Sequence, residues 1–309
     1  MNHRLENGRS YHVYKDGSKR ADLSLHCNYL NSVSNQLTVH SDMQHHLFYL
    51  TLDGRLGLAP PCKPGAKVGR VLDLGTGTGI WAIDFGEEHP ESEVLGIDLS
   101  PSQPEFVPSN VKFEIDDIEE DWLYSRPFDY IHSRLIQSGI ADWKKYVTKA
   151  YDNLVPGGYL ELQEADLTLK SDDDTLPSDS AMKKLGKLIT EAADTFGRPF
   201  IDAPTIKQYL IEVGFEDVTL YCYKWPMNTW PKDSKYKELG NWHLINLLEA
   251  LEAMAMAPLT RIHNWTREEV NVFLVDVRNE FKNRNIHAYH PVYSIVGRKP
   301  LKVDSPAPV

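Results

Sequence analysis

The chain has 309 residues, 41% hydrophobic and 25% charged, with a formal net charge of −11; this suits one α/β domain of roughly 200–250 residues plus a cap or subdomain. The acidic balance speaks against nucleic acid as a partner. No stretch approaches the roughly 20 apolar residues that span a bilayer, and MNHRLENGRS lacks the apolar run of a secretory signal.

Three scattered cysteines (Cys27, Cys62, Cys222) without a CxxC pair argue against a disulfide framework and a zinc site. They fit a reducing compartment. The expected location is cytoplasmic, with the nucleus as a second one, and no membrane insertion is expected.

Residues 1–35 are polar and weakly periodic, and read as an arm or lid ordered by docking. Leu37, Met43, Leu47 and Leu50 have helical spacing, and Gly54 is a stop. Residues 59–65, APPCKPG, form a stiff linker. From residue 69 the texture alternates: strand GRVLDLG, helix IWAIDFGEEHP, then strands EVLGIDLS, NVKFEIDD, FDYIHSRL and the fifth in VPGGYLELQEAD. Strands separated by helix-length segments predict βαβ units and a doubly wound, Rossmann-like parallel sheet. An acidic loop, SDDDTLPSDS, precedes helices at about 181–196 and 203–213. GFEDVTLYCYKWP reads as a strand, YKELGNWHLINLLEALEAMAMAP as a helical insert, REEVNVFLVDVRNEFKN as a helix and HAYHPVYSIVGRKP as a final strand. The expected organisation is an N-terminal helical arm over 1–65 and a main domain over 66–309, with a helical cap insert at about 225–265.

The most informative stretch is VLDLGTGTGIWAID, residues 71–84. Gly75, Gly77 and Gly79 follow a strand and open a helix. Glycine permits positive φ and close backbone approach, and a helix start offers free N–H donors. Dinucleotide sites usually read GxGxxG, but here Ile80 stands at the third-glycine position. Asp73, two residues before the first glycine, has no use for a pyrophosphate but can orient an amino-acid moiety. Asp98, at the end of VLGID, can accept from both ribose hydroxyls. Asp117 and Ile118, after VKFEI, can bind an adenine amino group and cover its ring. Adenine, ribose and a zwitterionic amino acid without phosphate describe S-adenosyl-L-methionine. The bland alternative is a tight strand–helix turn with Asp98 as a helix cap.

DLGTGTGIWAIDFGEEHP, GIDLSPSQPEFVPSNVKFEIDDIEEDW, FDYIHSR and ADWKKYVTKAYDNLVPGGYLELQE together resemble the class I S-adenosylmethionine-dependent methyltransferases, and within them the LaeA-like fungal branch. SDDDTL, FGRPF, GFEDV, WPKDSKYKELGNW, IHAY and VGRKP fit the same branch, as does ENGRSYHVYKDG near the start. The resemblance implies a seven-stranded sheet with the last strand antiparallel. It implies S-adenosyl-L-methionine as cofactor, with S-adenosyl-L-homocysteine as product, at the carboxyl ends of the strands. Asp73, Gly75, Thr76, Gly77, Gly79, Asp98, Leu99, Asp117, Ile118 and Ser133 are the matching cofactor positions. It also implies one of two occupations: methylating a small molecule of fungal secondary metabolism, or regulating that metabolism or development within a protein complex. A homodimer is a further partner expectation. One departure is Val39-His40, where the family usually has Asp-Arg.

Methyl transfer needs a positioned nucleophile and exclusion of water, and a hydroxyl or carboxyl acceptor also uses a general base. Candidate catalytic residues are Glu164, His132 and His243. The competing readings are a solvated carboxylate for Glu164 and an imidazole held by a backbone carbonyl for His132. Tyr289 and His290 are further base candidates. Arg134, Trp230, Trp242 and Tyr289 are the candidate acceptor pocket, with the aromatic and Met residues of the insert as its walls. No metal is expected; adjacent His45 and His46 cannot share one helix face. Asp172, Asp173 and Asp174 read as a solvated charge run. Tyr11 and Tyr14 of the arm are candidates to fold over the cofactor.

Overall fold

The structure, a computed structural model, describes residues 3–6, 9–12 and 34–301, with backbone alone before residue 41. The side chains of Tyr11, Leu37, Val39 and His40, and residues Tyr14 and Cys27 altogether, lie outside this description. The first elements are a hairpin, β1 (His3–Glu6) antiparallel to β2 (Arg9–His12). Helix α1 (Ser34–Thr51) follows and ends where Asp53 and Gly54 adopt φ of 55° and 76°.

The main body runs β3 (Arg70–Leu74), α2 (Ile80–Glu88), β4 (Glu93–Asp98), β5 (Val111–Ile115), β6 (Phe128–Arg134), α3 (Trp143–Asp152), β7 (Leu154–Ala165), α4 (Ala181–Thr195), α5 (Ala203–Val213), β8 (Glu216–Pro226), α6 (Ser234–Ala257), α7 (Arg267–Lys282) and β9 (Tyr289–Arg298). The seven strands lie in the order β5-β4-β3-β6-β7-β9-β8. Only β9 is antiparallel to its neighbours β7 and β8. The order reverses between β3 and β6, so a crevice opens there at the carboxyl ends of the strands.

Strand alternation supplies both faces of the sheet. Leu72, Leu74, Ile97 and Ile131 pack against Trp143, Tyr146, Ile206 and Leu210 of α3 and α5. Val71, Val94 and Tyr130 pack on the other face against Trp81 and Phe85 of α2. Side-chain caps fix where several helices start: Asp142, Asp202 and Asp233 accept from Lys145, Thr205 and Tyr236 N–H, and Thr266 with Glu269 forms a capping box. The helical cap has its own core, drawn from α4, α6 and α7 through Met182, Leu185, Leu251, Met256, Leu274 and Phe281. Trp225 belongs to β8 and packs, with Leu239 and Val292, against Leu47 and Phe48 of α1.

One buried carboxylate ties the linker to the sheet. Glu161 of β7 is fully buried. It accepts from Leu58 N–H (2.9 Å), Ala59 N–H (2.8 Å), Tyr130 OH (3.0 Å), Gln163 Nε2 (3.0 Å) and Ser294 Oγ (2.8 Å). A Cβ on Gly57 would lie 2.7 Å from both Glu161 Oε2 and Cys62 Sγ, so the linker passes there as glycine. Buried donors left without an acceptor are costly. Glu161→Leu should therefore lower unfolding free energy by about 3 kcal/mol or more. Urea denaturation with unchanged slope is the check; a loss under about 1 kcal/mol, the worth of one ordinary hydrogen bond, would refute the anchoring role.

Candidate functional site

The glycine turn is fastened from below by Asp73. Its Oδ2 accepts from Thr76 Oγ1 at 2.6 Å, and its Oδ1 accepts from His132 Nδ1–H at 2.8 Å. Asp73 and His132 are register partners on β3 and β6, so the pair is built by strand alignment. The His132 ring stacks on Trp81 of α2, with centroids 3.8 Å apart and planes 7° apart. Burial holds its pKa below the usual histidine value despite the carboxylate. His132 is thus held by a carboxylate and not by a backbone carbonyl, and it lines the cleft at the glycine turn, away from the cap.

Gly75, Gly77 and Gly79 have φ of 69°, 58° and 82°. A Cβ at Gly79 would strike Phe113 at 2.4 Å, whereas at Gly77 the nearest atom would be Ser41 Oγ at 3.9 Å. Gly77 is therefore not crowded, its nearest neighbour being at ordinary contact distance. Asp98 closes the turn from β4: Oδ2 accepts from Gly77 N–H and Oδ1 from Ser100 N–H, each at 2.9 Å. Burial raises its pKa against those bonds. Leu99 is half-buried directly after it. Asp116 N–H donates to the Asp98 carbonyl at 3.1 Å, which brings the β5 loop alongside. There Asp117 Oδ1 accepts from Glu119 N–H, and Ile118 packs on the sheet core beneath. Ser133 points to the opposite face, fully buried beside the Tyr146 hydroxyl.

Helix α1 forms the outer wall of this cleft through Ser41, Gln44 and His45. Thr78 Oγ1 donates to Asp42 Oδ1 at 3.1 Å. Arg134 NH1 donates to His45 Nδ1 at 3.1 Å, and His45 Nε2 bonds Asp84 at 2.9 Å. Arg134 also donates to Gln163 Oε1 and lies over the Phe48 ring. Burial lowers its pKa to about 10, so it stays cationic, yet no described carboxylate bonds it directly. Arg134 lies in the cleft of the glycine turn, not in an acceptor pocket with the cap, because β6 carries it on the same face as Asp73 and His132.

A second cavity of ≈ 130 Å³, mostly apolar, lies between the sheet and the cap. Its walls include Leu135, Glu164, Ile189, Phe200, Trp225, His243, Asn246 and His290. Gln44 and Leu135 line both this cavity and the cleft. Trp230, Trp242 and Tyr289 are not part of it. Trp230 stacks on His287 and donates to the Ala288 carbonyl, Trp242 meets His46 edge to face, and the Tyr289 hydroxyl is taken by Asp172. Asp172, Asp173 and Asp174 are exposed, as expected of a solvated run, and Asp172 and Asp173 also pair with Lys224 and His287.

Glu164 is buried, not solvated. Its Oε1 accepts from Ile136 N–H at 3.0 Å, and burial raises its pKa to about 8. His243 also lines the cavity, but its Nε2 is turned to His290 Nδ1 at 3.3 Å. The motif reading passed over Glu161, Gln44 and Asn246. For Glu161 a signal was present: in LELQE, alternation from Glu164 puts Glu161 on the other face, in register with His132.

The Glu164 shift has a consequence for stability. Folding disfavours its ionised form, so wild-type stability falls as pH rises from the ordinary glutamate value of 4.5 towards about 8. Glu164→Gln cannot ionise. Its Tm relative to wild type should therefore climb between pH 5 and pH 9, read by thermal unfolding; a constant difference would refute the shift.

Residues 43–220 match the family described as "Methyltransferase domain". The chain is 39% identical over 296 residues, 96% of its own length and 87% of the relative's, to a protein named methyltransferase pytC of Aspergillus terreus. It is 34% identical over 291 residues, 94% of its length and 90% of the relative's, to a probable methyltransferase tdiE of Emericella nidulans. Over 301 residues, 96% of its length and 94% of the relative's, it is 36% identical to a secondary metabolism regulator LAE1 of Cochliobolus heterostrophus. The sheet order, the glycine turn and these similarities agree: the chain belongs to the methyltransferase-domain family, in its LaeA-like branch.

Proposed function

We propose that this methyltransferase uses S-adenosyl-L-methionine to methylate an O or N atom of a small molecule held in the apolar cavity. The observation that carries the reading is the shared wall: Gln44 and Leu135 border both the cleft and the cavity, so ligands in the two would meet there. The cleft's donor set fits the cofactor. Asp98 has acceptor capacity beyond its backbone bonds, Gly77 has no Cβ to bar a close approach although Asp98, Ser102 and Gln103 take its N–H and carbonyl, and Arg134 is a buried cation without a directly bonded carboxylate among the described residues. Asp98 would take ribose hydroxyls and Arg134 the amino-acid carboxylate. The bound cofactor supplies an electrophilic methyl group on a sulfonium.

The protein's own work is then positioning and drying the reaction space. Helix α1 covers the cleft, and the cap covers the cavity. Glu164 is placed as general base for a hydroxyl acceptor. The cavity's titratable groups are Glu164, His243 and His290, and burial holds His243 near 4 and His290 well below the usual value. Only Glu164 titrates between about pH 6 and pH 9. As a base it works ionised, so kcat should rise with pH through about 8. Glu164→Gln should lose about 100-fold or more in kcat together with that rise; a variant that keeps the profile excludes Glu164 as the base.

The second reading, a regulator acting in a protein complex, is supported by the 36% identity to LAE1 along nearly the whole chain. One experiment separates the two. Purified protein and isotopically labelled S-adenosyl-L-methionine are incubated with fungal small-molecule extract or with protein lysate. A labelled small molecule, absent with Asp98→Ala, is the expected result. Label only in protein would favour the regulator. No label in either pool would refute both transfer readings. Asp98→Ala should also weaken S-adenosyl-L-homocysteine binding by about 10-fold or more, since it removes a charged acceptor.

A further inference from the structure

The segment FGRPF, residues 196–200, has no part in the function proposed above, yet it connects the two compartments. Helix α4 ends at Thr195, Gly197 turns the chain with φ of 72°, and Arg198 N–H donates back to the Ala193 carbonyl at 3.0 Å. Phe200 then lines the apolar cavity, and Ile201 N–H donates to Oε1 of Gln137, another wall residue, at 3.1 Å. Arg198 itself is not a wall residue. Its side chain is 7% exposed and donates through NH1 to the Gly139 carbonyl and through NH2 to Glu119 Oε2.

Glu119 lies in the loop after β5, where residues 116–121 read DDIEED, five carboxylates in six positions. Such a run repels itself unless cations offset it. Lys149 of α3 takes main chain here: its Nζ donates to the carbonyls of Ile118 at 2.6 Å and Glu120 at 2.9 Å. Arg198 takes a side chain. With Oε2 on Arg198 and Oε1 accepting from Ala141 N–H at 2.9 Å, the Glu119 carboxylate is fixed at both oxygens. The Glu119 N–H in turn donates to Asp117 Oδ1 at 3.0 Å. The guanidinium of Arg198 therefore sets Glu119, and Glu119 sets the carboxylate of Asp117.

Stability alone accounts poorly for this arrangement. A buried ion pair roughly breaks even against desolvation, and Arg198 Nε is buried without a partner, an added cost. What an arginine contributes is a rigid planar fork, and so direction. We infer, resting on the cofactor reading above, that Arg198 is a positioning residue for the cofactor's base: through Glu119 it holds Asp117 where its carboxylate accepts from the exocyclic amino group of adenine. The segment that walls the acceptor cavity thus tunes recognition of the base in the other compartment.

The probes are S-adenosyl-L-homocysteine and S-inosyl-L-homocysteine, in which a carbonyl replaces that amino group. Each is titrated calorimetrically into the full chain. Wild type should bind the adenosyl ligand about tenfold tighter or more, since a carbonyl facing Asp117 sets two acceptors against each other. In Arg198→Met that preference should fall below about threefold while the inosyl affinity stays within about threefold of wild type, a loss confined to base recognition. Arg198→Met leaves Glu119 without its counter-charge, so Arg198→Met/Glu119→Gln is measured beside it. The double variant removes both charges and retains an acceptor for Ala141 N–H; it should keep a Tm close to wild type and show the same flattened preference. Arg198→Lys, which restores the charge but not the fork, should recover part of the preference. Equal weakening of both ligands would make Arg198 a structural staple and overturn the inference. A preference that survives in the double variant would overturn it too, as would equal affinity for the two ligands in wild type. The two readings fail separately. A wild type that binds the adenosyl ligand without preferring it loses only the role of Arg198, whereas one that binds neither ligand loses the cofactor reading with it.

Discussion

The site depends first on the carboxylate of Asp73. It is buried where β3 ends, and each of its oxygens has one task. One holds Thr76 and so shapes the glycine turn; the other holds His132 on the neighbouring strand, whose ring lies flat on Trp81 of the helix that the turn opens. Strand, turn, helix and adjacent strand are thus locked through a single group. The row continues across the sheet, since His132 is in register with Glu161, which anchors the linker at Leu58 and Ala59. A buried polar row is costly where a member goes unbonded; His132 Nε2 has no partner among the described residues, and the bonds of Asp73, His132 Nδ1 and Glu161 fix the floor of the cleft.

Helix α1 gives that floor a roof. It reaches the turn through Asp42 and Thr78, the sheet through His45 and Arg134, and the end of β8 through Phe48 and Trp225. The cleft is therefore completed by a segment that precedes the sheet in the chain. Leu135 marks the boundary between the two cavities with φ of 52°, while its N–H donates to the Gln163 carbonyl. A non-glycine residue held there stores backbone strain of about 1–3 kcal/mol. That strain sits where two ligands would meet.

Much of this was legible in the sequence. The βαβ alternation, the glycine turn and the acids at the ends of VLDL, VLGID and VKFEI are local patterns, and local patterns specify local structure. What escaped is non-local. Arg134 follows Ser133 directly, yet strand alternation sends them to opposite faces, and only the register with Gln163 reveals that Arg134 joins the cleft. Trp230 and Trp242 have the composition of a pocket wall but are used by His287 and His46. His243 was legible as a candidate, but its Nε2 is turned to His290, 47 residues away. No spacing rule encodes that contact, because it depends on how α6 docks against β9.

The two compartments also differ in charge, and this bears on the chemistry. The cleft retains a buried cation, Arg134, while the cavity has neutral histidines and a carboxyl whose ionisation burial opposes. Under the proposed function, proton removal by ionised Glu164 together with methylation of a neutral hydroxyl would convert one negative and one positive charge into neutral groups. A dry, weakly polarisable wall penalises separated charges, so it favours a step in which they disappear. The burial that makes Glu164 a reluctant anion would therefore also favour a step in which that anion is consumed. On this reading the apolar cap does more than shape the acceptor. It would place Glu164 in surroundings where giving up its charge lowers the free energy.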